Sequence, residues 1–117
     1  MDIAELGRQL EKFAKDRDWE KFHSPKNLIM ALTGEVGELN EIFQWLSEKE
    51  TNEIMQSDAA LAVKHELADI LLYLVRLATI LGVDLLEAAT QKMELNQKKY
   101  PVDTSKGTHK KHHLLKQ

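Results

Sequence analysis

A chain of 117 residues, 43% of them hydrophobic, suffices for one domain with a core of modest size. It contains no cysteine, which excludes disulfides, thiolate metal sites and thiol nucleophiles together. Net charge is −3 but unevenly spread: residues 1–97 carry ten basic and eighteen acidic side chains, residues 98–117 six and one, and an acidic body with a basic tail argues against duplex nucleic-acid binding.

Two prolines and five glycines leave little punctuation for a β protein, and Leu, Ala, Glu, Lys and Gln favour helix. The first helix is expected from about Asp2 to Asp18, with Ile3, Leu6, Leu10, Phe13 and Ala14 on one stripe. An aromatic connector, Trp19 to His23, follows. Ser24 then caps a second helix with Pro25 at its first position, running to about Leu46. Ser47 to Ser57 reads as a loop with room for a short helical turn. Ser57 or Asp58 opens a third helix, and Gly82 closes it in the left-handed position. Asp84 caps a fourth, which reaches about Lys99 before Pro101 stops it. The expected architecture is all-α: a four-helix bundle over residues 1–101, with 102–117 as a basic, mobile tail.

The third helix is apolar almost all round: Leu67, Ile70, Leu71, Leu72, Leu74, Val75, Leu77 and Ile80. Such a helix needs cover on every side, so assembly into a dimer or tetramer is expected. No apolar run approaches the roughly 18 residues of a membrane span; the longest, Ile70 to Leu81, is broken by Arg76. The amino terminus lacks the basic region and apolar block of a signal peptide, so a cytoplasmic protein is expected.

The carboxylates carry the chemistry. At about 100° per residue, Glu35 falls in the middle of a stripe made by Leu28, Leu32, Leu39, Ile42 and Leu46, with Glu38 beside Ile42 and Trp45. Thr33, Asn40 and Gln44 take the opposite side. On the third helix Glu66 lies between Tyr73, Ile70 and Leu77, with Asp69 adjacent. Two acid pairs spaced i, i+3 therefore occupy faces that should be oily, and four carboxylates converge if those helices meet. Two such charges about 5 Å apart repel by roughly 3 kcal/mol at an effective dielectric near 20. Either protons bind or a cation is present. No Lys or Arg lies between Lys26 and Lys49, the third helix offers only Lys64 and Arg76, the latter on the Asp69 side, and Arg8, Lys12 or Arg17 of the first helix could supply alternative ion pairs. A hard divalent ion, Mg²⁺ with Mn²⁺ as substitute, suits an oxygen-only donor set. Lys92, Asn96 and Tyr100, at i, i+4 and i+8, share a face suited to phosphate or sugar.

With these residues stand Arg17-Asp18-Trp19-Glu20-Lys21-Phe22-His23, Gly34-Glu35-Val36-Gly37-Glu38-Leu39, Phe43-Gln44-Trp45, Glu66-Leu67-Ala68-Asp69 through Leu74, Val83-Asp84-Leu85 and Lys92 through Pro101. The sequence thereby resembles the MazG-type all-α nucleoside triphosphate pyrophosphatases over about residues 13–107, in particular the dCTP pyrophosphatase branch. The resemblance implies Glu35, Glu38, Glu66 and Asp69 as Mg²⁺ ligands and catalytic centre. It implies Trp19, Phe22, His23, Trp45 and Tyr73 as the lining of a nucleotide site. It implies hydrolysis of a (deoxy)nucleoside triphosphate, dCTP or a modified dCTP first, to the monophosphate and pyrophosphate by a tetramer. The chain departs from dCTP-type relatives at Leu10, where a polar residue, commonly His, can stand. The competing expectation is a non-enzymatic, divalent-metal-binding helical oligomer or regulatory protein.

Overall fold

The computed structural model describes residues 1–108, all helix and connector, in two compact units, Met1–Val83 and Asp84 onward. In the first, α1 spans Ile3–Asp16, α2 Pro25–Phe43, α3 Glu48–Asn52 and α4 Ala60–Leu81. The second holds α5, Leu85–Lys99, and α6, Val102–Ser105. Residues 109–117, including Lys110 and Lys111 of the expected tail, lie outside the described residues.

Caps set the boundaries. Asp2 accepts from the Glu5 amide at the start of α1, Ser24 from Asn27 at α2, and Asp84 from Glu87 at α5. Gly82 takes φ 70°, and the Val83 amide donates back to the Ala78 carbonyl at 2.8 Å, closing α4 in the expected way. Two local expectations are corrected, and the connector holds the short helix the sequence left room for. Neither Ser57 nor Asp58 caps α4: the Ser57 hydroxyl accepts from the Ala59 amide, holding a turn that delays the helix to Ala60. The polar connector holds α3, closed by a reciprocal Ser47–Glu50 capping box, and a 3-10 turn at Ile54–Gln56. Pro101 ends α5 but, with its φ preset at −59°, starts α6 in a segment that shows no apolar stripe.

In the first unit α4 packs mainly on α2 and secondarily on α1. Leu28 and Val75 are fully buried between these helices. The α2 stripe turns inward as expected: Leu32, Glu35, Leu39 and Ile42 are half-buried, while Thr33, Asn40 and Gln44 are exposed. At Gly7 α1 comes very close to α4, since a Cβ there would meet the Thr79 hydroxyl at 3.1 Å and Val75 at 3.7 Å. This contact sets how α1 presents Leu10 and Phe13. A Gly7→Leu substitution should therefore force the helices apart and lower unfolding free energy by about 1–3 kcal/mol in urea titrations, the usual scale of overpacking.

Candidate functional site

Glu35 of α2 and Glu66 of α4 face each other across the principal helix contact. One carboxylate oxygen each from Glu35, Glu38 and Glu66 lie within 4.8 Å of one another. Glu35 and Glu66 are half-buried, and Glu38 is the exposed member. One oxygen of Glu35 (Oε2) and one of Glu66 (Oε2) are buried without a hydrogen-bond partner. The Glu35 pKa is pushed up to about 7, first by the facing Glu66 carboxyl, then by burial, Glu38 and the charge of Asp69.

Among the described residues no cation pairs with the cluster. Arg8 pairs with Glu5 at 2.7 Å and Lys12 with Asp16 at 2.7 Å, while Arg17 lies 3.6 Å over the Phe13 ring and donates to the Phe13 carbonyl. Arg8, Lys12 and Arg17 are thus engaged within or beside α1. Orphaned, buried carboxylate oxygens from two helices, all hard donors, fit a divalent cation, and Asp69 adds a fourth carboxylate on the α4 side.

Beside the cluster opens a pocket of about 310 Å³ lined by Leu10, Phe13, Trp19, His23, Glu35, Asp69, Leu72, Tyr73 and Arg76. Phe13 and Trp19 meet edge to face, ring centroids 5.7 Å apart, and wall one side. Asp18 positions Trp19 by taking a left-handed φ of 55°, a conformation aspartate tolerates, after which the Trp19 amide caps back onto the Ala14 carbonyl at 2.8 Å. The 3-10 turn Glu20–Phe22 then delivers His23. Its Nδ1 accepts from Arg76 Nε at 3.1 Å, and burial, then the Arg76 charge, holds His23 below the ordinary histidine range. Accepting at Nδ1 leaves Nε2 as the ring's donor.

Of the residues expected in a site, Glu35, Glu38 and Glu66 meet in the cluster, and Asp69, Trp19, His23 and Tyr73 line the pocket with Glu35. Phe22 and Trp45 are exposed and do not line it; Trp45, just beyond α2, is 86% exposed. Lys92 and Asn96 lie on α5 and Tyr100 caps it, in the second unit. Phe13, Leu72 and Arg76 are lining residues that the sequence reading did not assign to a site. The signal for Arg76 was present, since it is the lone Lys or Arg between Lys64 and Lys92, seven residues after Asp69 on the same helical face.

A family model described as MazG-like matches residues 31–115. The chain belongs to the MazG-like family. It is 46% identical to dCTP pyrophosphatase 1 of Rattus norvegicus over 107 residues, 91% of this chain and 63% of that protein. It is 41% identical to dCTP pyrophosphatase 1 of Homo sapiens over 111 residues, 94% of this chain and 65% of that protein. The chain thus spans a little under two thirds of the length of these curated relatives. A crystal structure of a pyrophosphatase from Archaeoglobus fulgidus superposes with a TM-score of 0.78 at 41% identity, covering 84% of this chain and 91% of that one. The MazG-like all-α fold and the recognition of the dCTP pyrophosphatase type are therefore as expected.

The raised Glu35 pKa makes a stability statement. A carboxyl held above its unfolded value of 4.5 stabilises the fold while protonated, and that contribution is lost as pH rises towards about 7. The metal-free protein should melt at a lower temperature at pH 8 than at pH 5. Glu35→Gln should raise the melting temperature at pH 8 and change it little at pH 5, as read by thermal melts in chelator.

Proposed function

We propose that this MazG-like chain hydrolyses a nucleoside triphosphate between its α and β phosphates, with dCTP or a base-modified dCTP as first substrate. The observation that carries the reading is the carboxylate cluster opening onto an aromatic-walled pocket in a chain so similar to dCTP pyrophosphatases. In this reading Glu35, Glu38, Glu66 and Asp69 hold Mg²⁺, with Mn²⁺ able to replace it. When bound, the ion supplies positive charge that offsets the triphosphate and acidifies a water. Glu38, the exposed member of the cluster, would orient the attacking water towards the α phosphorus. Glu41, also exposed, is the alternative carboxylate for this role.

The Phe13–Trp19 wall offers a stacking face for the base, at about 1–3 kcal/mol per aromatic contact. His23 and Tyr73 complete the nucleotide lining; in the second unit Lys92, Asn96 and Tyr100 are of the residue types that bind phosphate or sugar. Self-assembly as a dimer or tetramer belongs to the same proposal. Its support is an uncovered stripe on α4, Leu67, Leu71, Leu74 and Leu81, at i, i+4, i+7 and i+14. Trp45 and Phe22 join a nucleotide site through that assembly. A cytoplasmic location completes the reading; among the described residues no helix is long and apolar enough to cross a membrane.

Incubation with each common and base-modified (d)NTP and Mg²⁺, with products identified by mass, should yield pyrophosphate and a monophosphate, fastest from a cytosine nucleotide. Orthophosphate as first product, or no turnover with any nucleotide, contradicts the reading. Folded Glu38→Gln and Asp69→Asn variants should each lose about 10²–10³ in kcat, a loss on the scale of about 3–4 kcal/mol. Unchanged turnover in both would remove the cluster from the chemistry.

A further inference from the structure

The pocket has two electrically different ends. Glu35 and Asp69 form one; Arg76 and His23 form the other. Asp69, Tyr73 and Arg76 fall at i, i+4 and i+7 on α4, so Arg76 stands about 10 Å along the helix from Asp69, on nearly the same face. Arg76 is only 4% exposed, yet it makes no ion pair among the described residues. Its one hydrogen bond there runs from Nε to His23 Nδ1. A guanidinium cannot shed its proton, so burying it without acceptors is unfavourable. The bond to His23 fixes the plane of the group and leaves the two terminal amino groups, four N–H donors, for whatever fills the pocket.

A triphosphate and its cation belong at the carboxylate end, because that end lacks positive charge. The nucleotide then extends along α4, with its base against the Phe13–Trp19 wall and the edge of that base at Arg76. We propose that Arg76, held in plane by His23, reads the base by donating a two-pronged hydrogen bond to the adjacent acceptors O2 and N3 of cytosine. A guanidinium fork matches two neighbouring acceptors and nothing else on a base edge. Uracil and thymine present an N–H at position 3, which meets the fork donor to donor. Arg76 is thus a specificity-determining residue and His23 its positioning residue.

This inference rests on the pyrophosphatase reading, and its test separates the two. With Mg²⁺, kcat/KM is measured for dCTP, dUTP, dTTP and dGTP in the wild type, Arg76→Met and Arg76→Lys. Arg76→Met should lose about 10–100-fold on dCTP, chiefly through KM, while dUTP and dTTP change less than about threefold. Arg76→Lys keeps the charge without the fork and should lose the cytosine preference as well. Equal losses on all four nucleotides would mark a phosphate-binding or purely structural role and overturn the proposal. So would a preference for dGTP that Arg76→Met abolishes. In parallel, dCMP and dUMP are titrated calorimetrically into metal-free protein. Preference for dCMP in the wild type, erased in Arg76→Met, supports base reading even if no triphosphate is hydrolysed, in which case the pyrophosphatase reading alone fails. Turnover with a cytosine preference untouched by Arg76→Met and Arg76→Lys sinks the base-reading role alone. Should Arg76→Met not fold, Arg76→Lys and His23→Ala carry the same comparison, with the same loss of cytosine preference expected.

Discussion

Carboxylate against carboxylate is the constraint on which this molecule turns. The contact between α2 and α4 is the main packing interaction of the first unit, and its apolar surface is interrupted where Glu35 and Glu66 face each other with Glu38 at the rim. Among the described residues nothing neutralises them: Arg8, Lys12 and Arg17 are engaged elsewhere, and Arg76 lies about two helical turns from Asp69. Part of the apolar packing between the two helices therefore offsets a repulsion that the metal-free protein relieves by keeping a proton on Glu35. A group that destabilises the empty protein and is retained in its core is what a functional site looks like in energetic terms.

The rest of the first unit is arranged around that contact. Gly7 lets α1 approach α4 closely enough for Leu10 and Phe13 to reach the pocket. The left-handed Asp18 turns the chain so that Trp19 returns against Phe13 and His23 reaches Arg76. The pocket is thereby graded: acidic where a cation and phosphates would sit, aromatic along one wall, and cationic at the far end. Such a gradient gives a bound nucleotide one favourable direction.

Much of this was legible in the residues. Ser24-Pro25, Gly82 and Asp84 encode their helix ends through local hydrogen bonding and backbone preference, and local signals survive folding unchanged. The acid pairs were legible because helical periodicity placed them among Leu and Ile, and the burial of Glu35, Glu66 and Asp69 follows that placement. The start of α4 was misread because the Ser57 hydroxyl serves a turn two residues ahead, which no spacing rule distinguishes from a helix cap. Arg76 was passed over because an arginine in an apolar run reads as a break in a membrane span or as a counter-ion. Its true setting, against His23 from a connector 53 residues earlier, depends on tertiary structure alone. Trp45 lies at the surface because α2 ends at Phe43 and the chain turns outward before α3.

In the proposed reading the cluster holds a proton only until a divalent ion displaces it. Calorimetric titration of Mg²⁺ into the protein in buffers of different ionisation enthalpy counts the protons released. Release should approach one per bound ion at about pH 6 and vanish by about pH 8.5, where Glu35 has already ionised. Binding that releases no proton at any pH, or no binding at all, would contradict it.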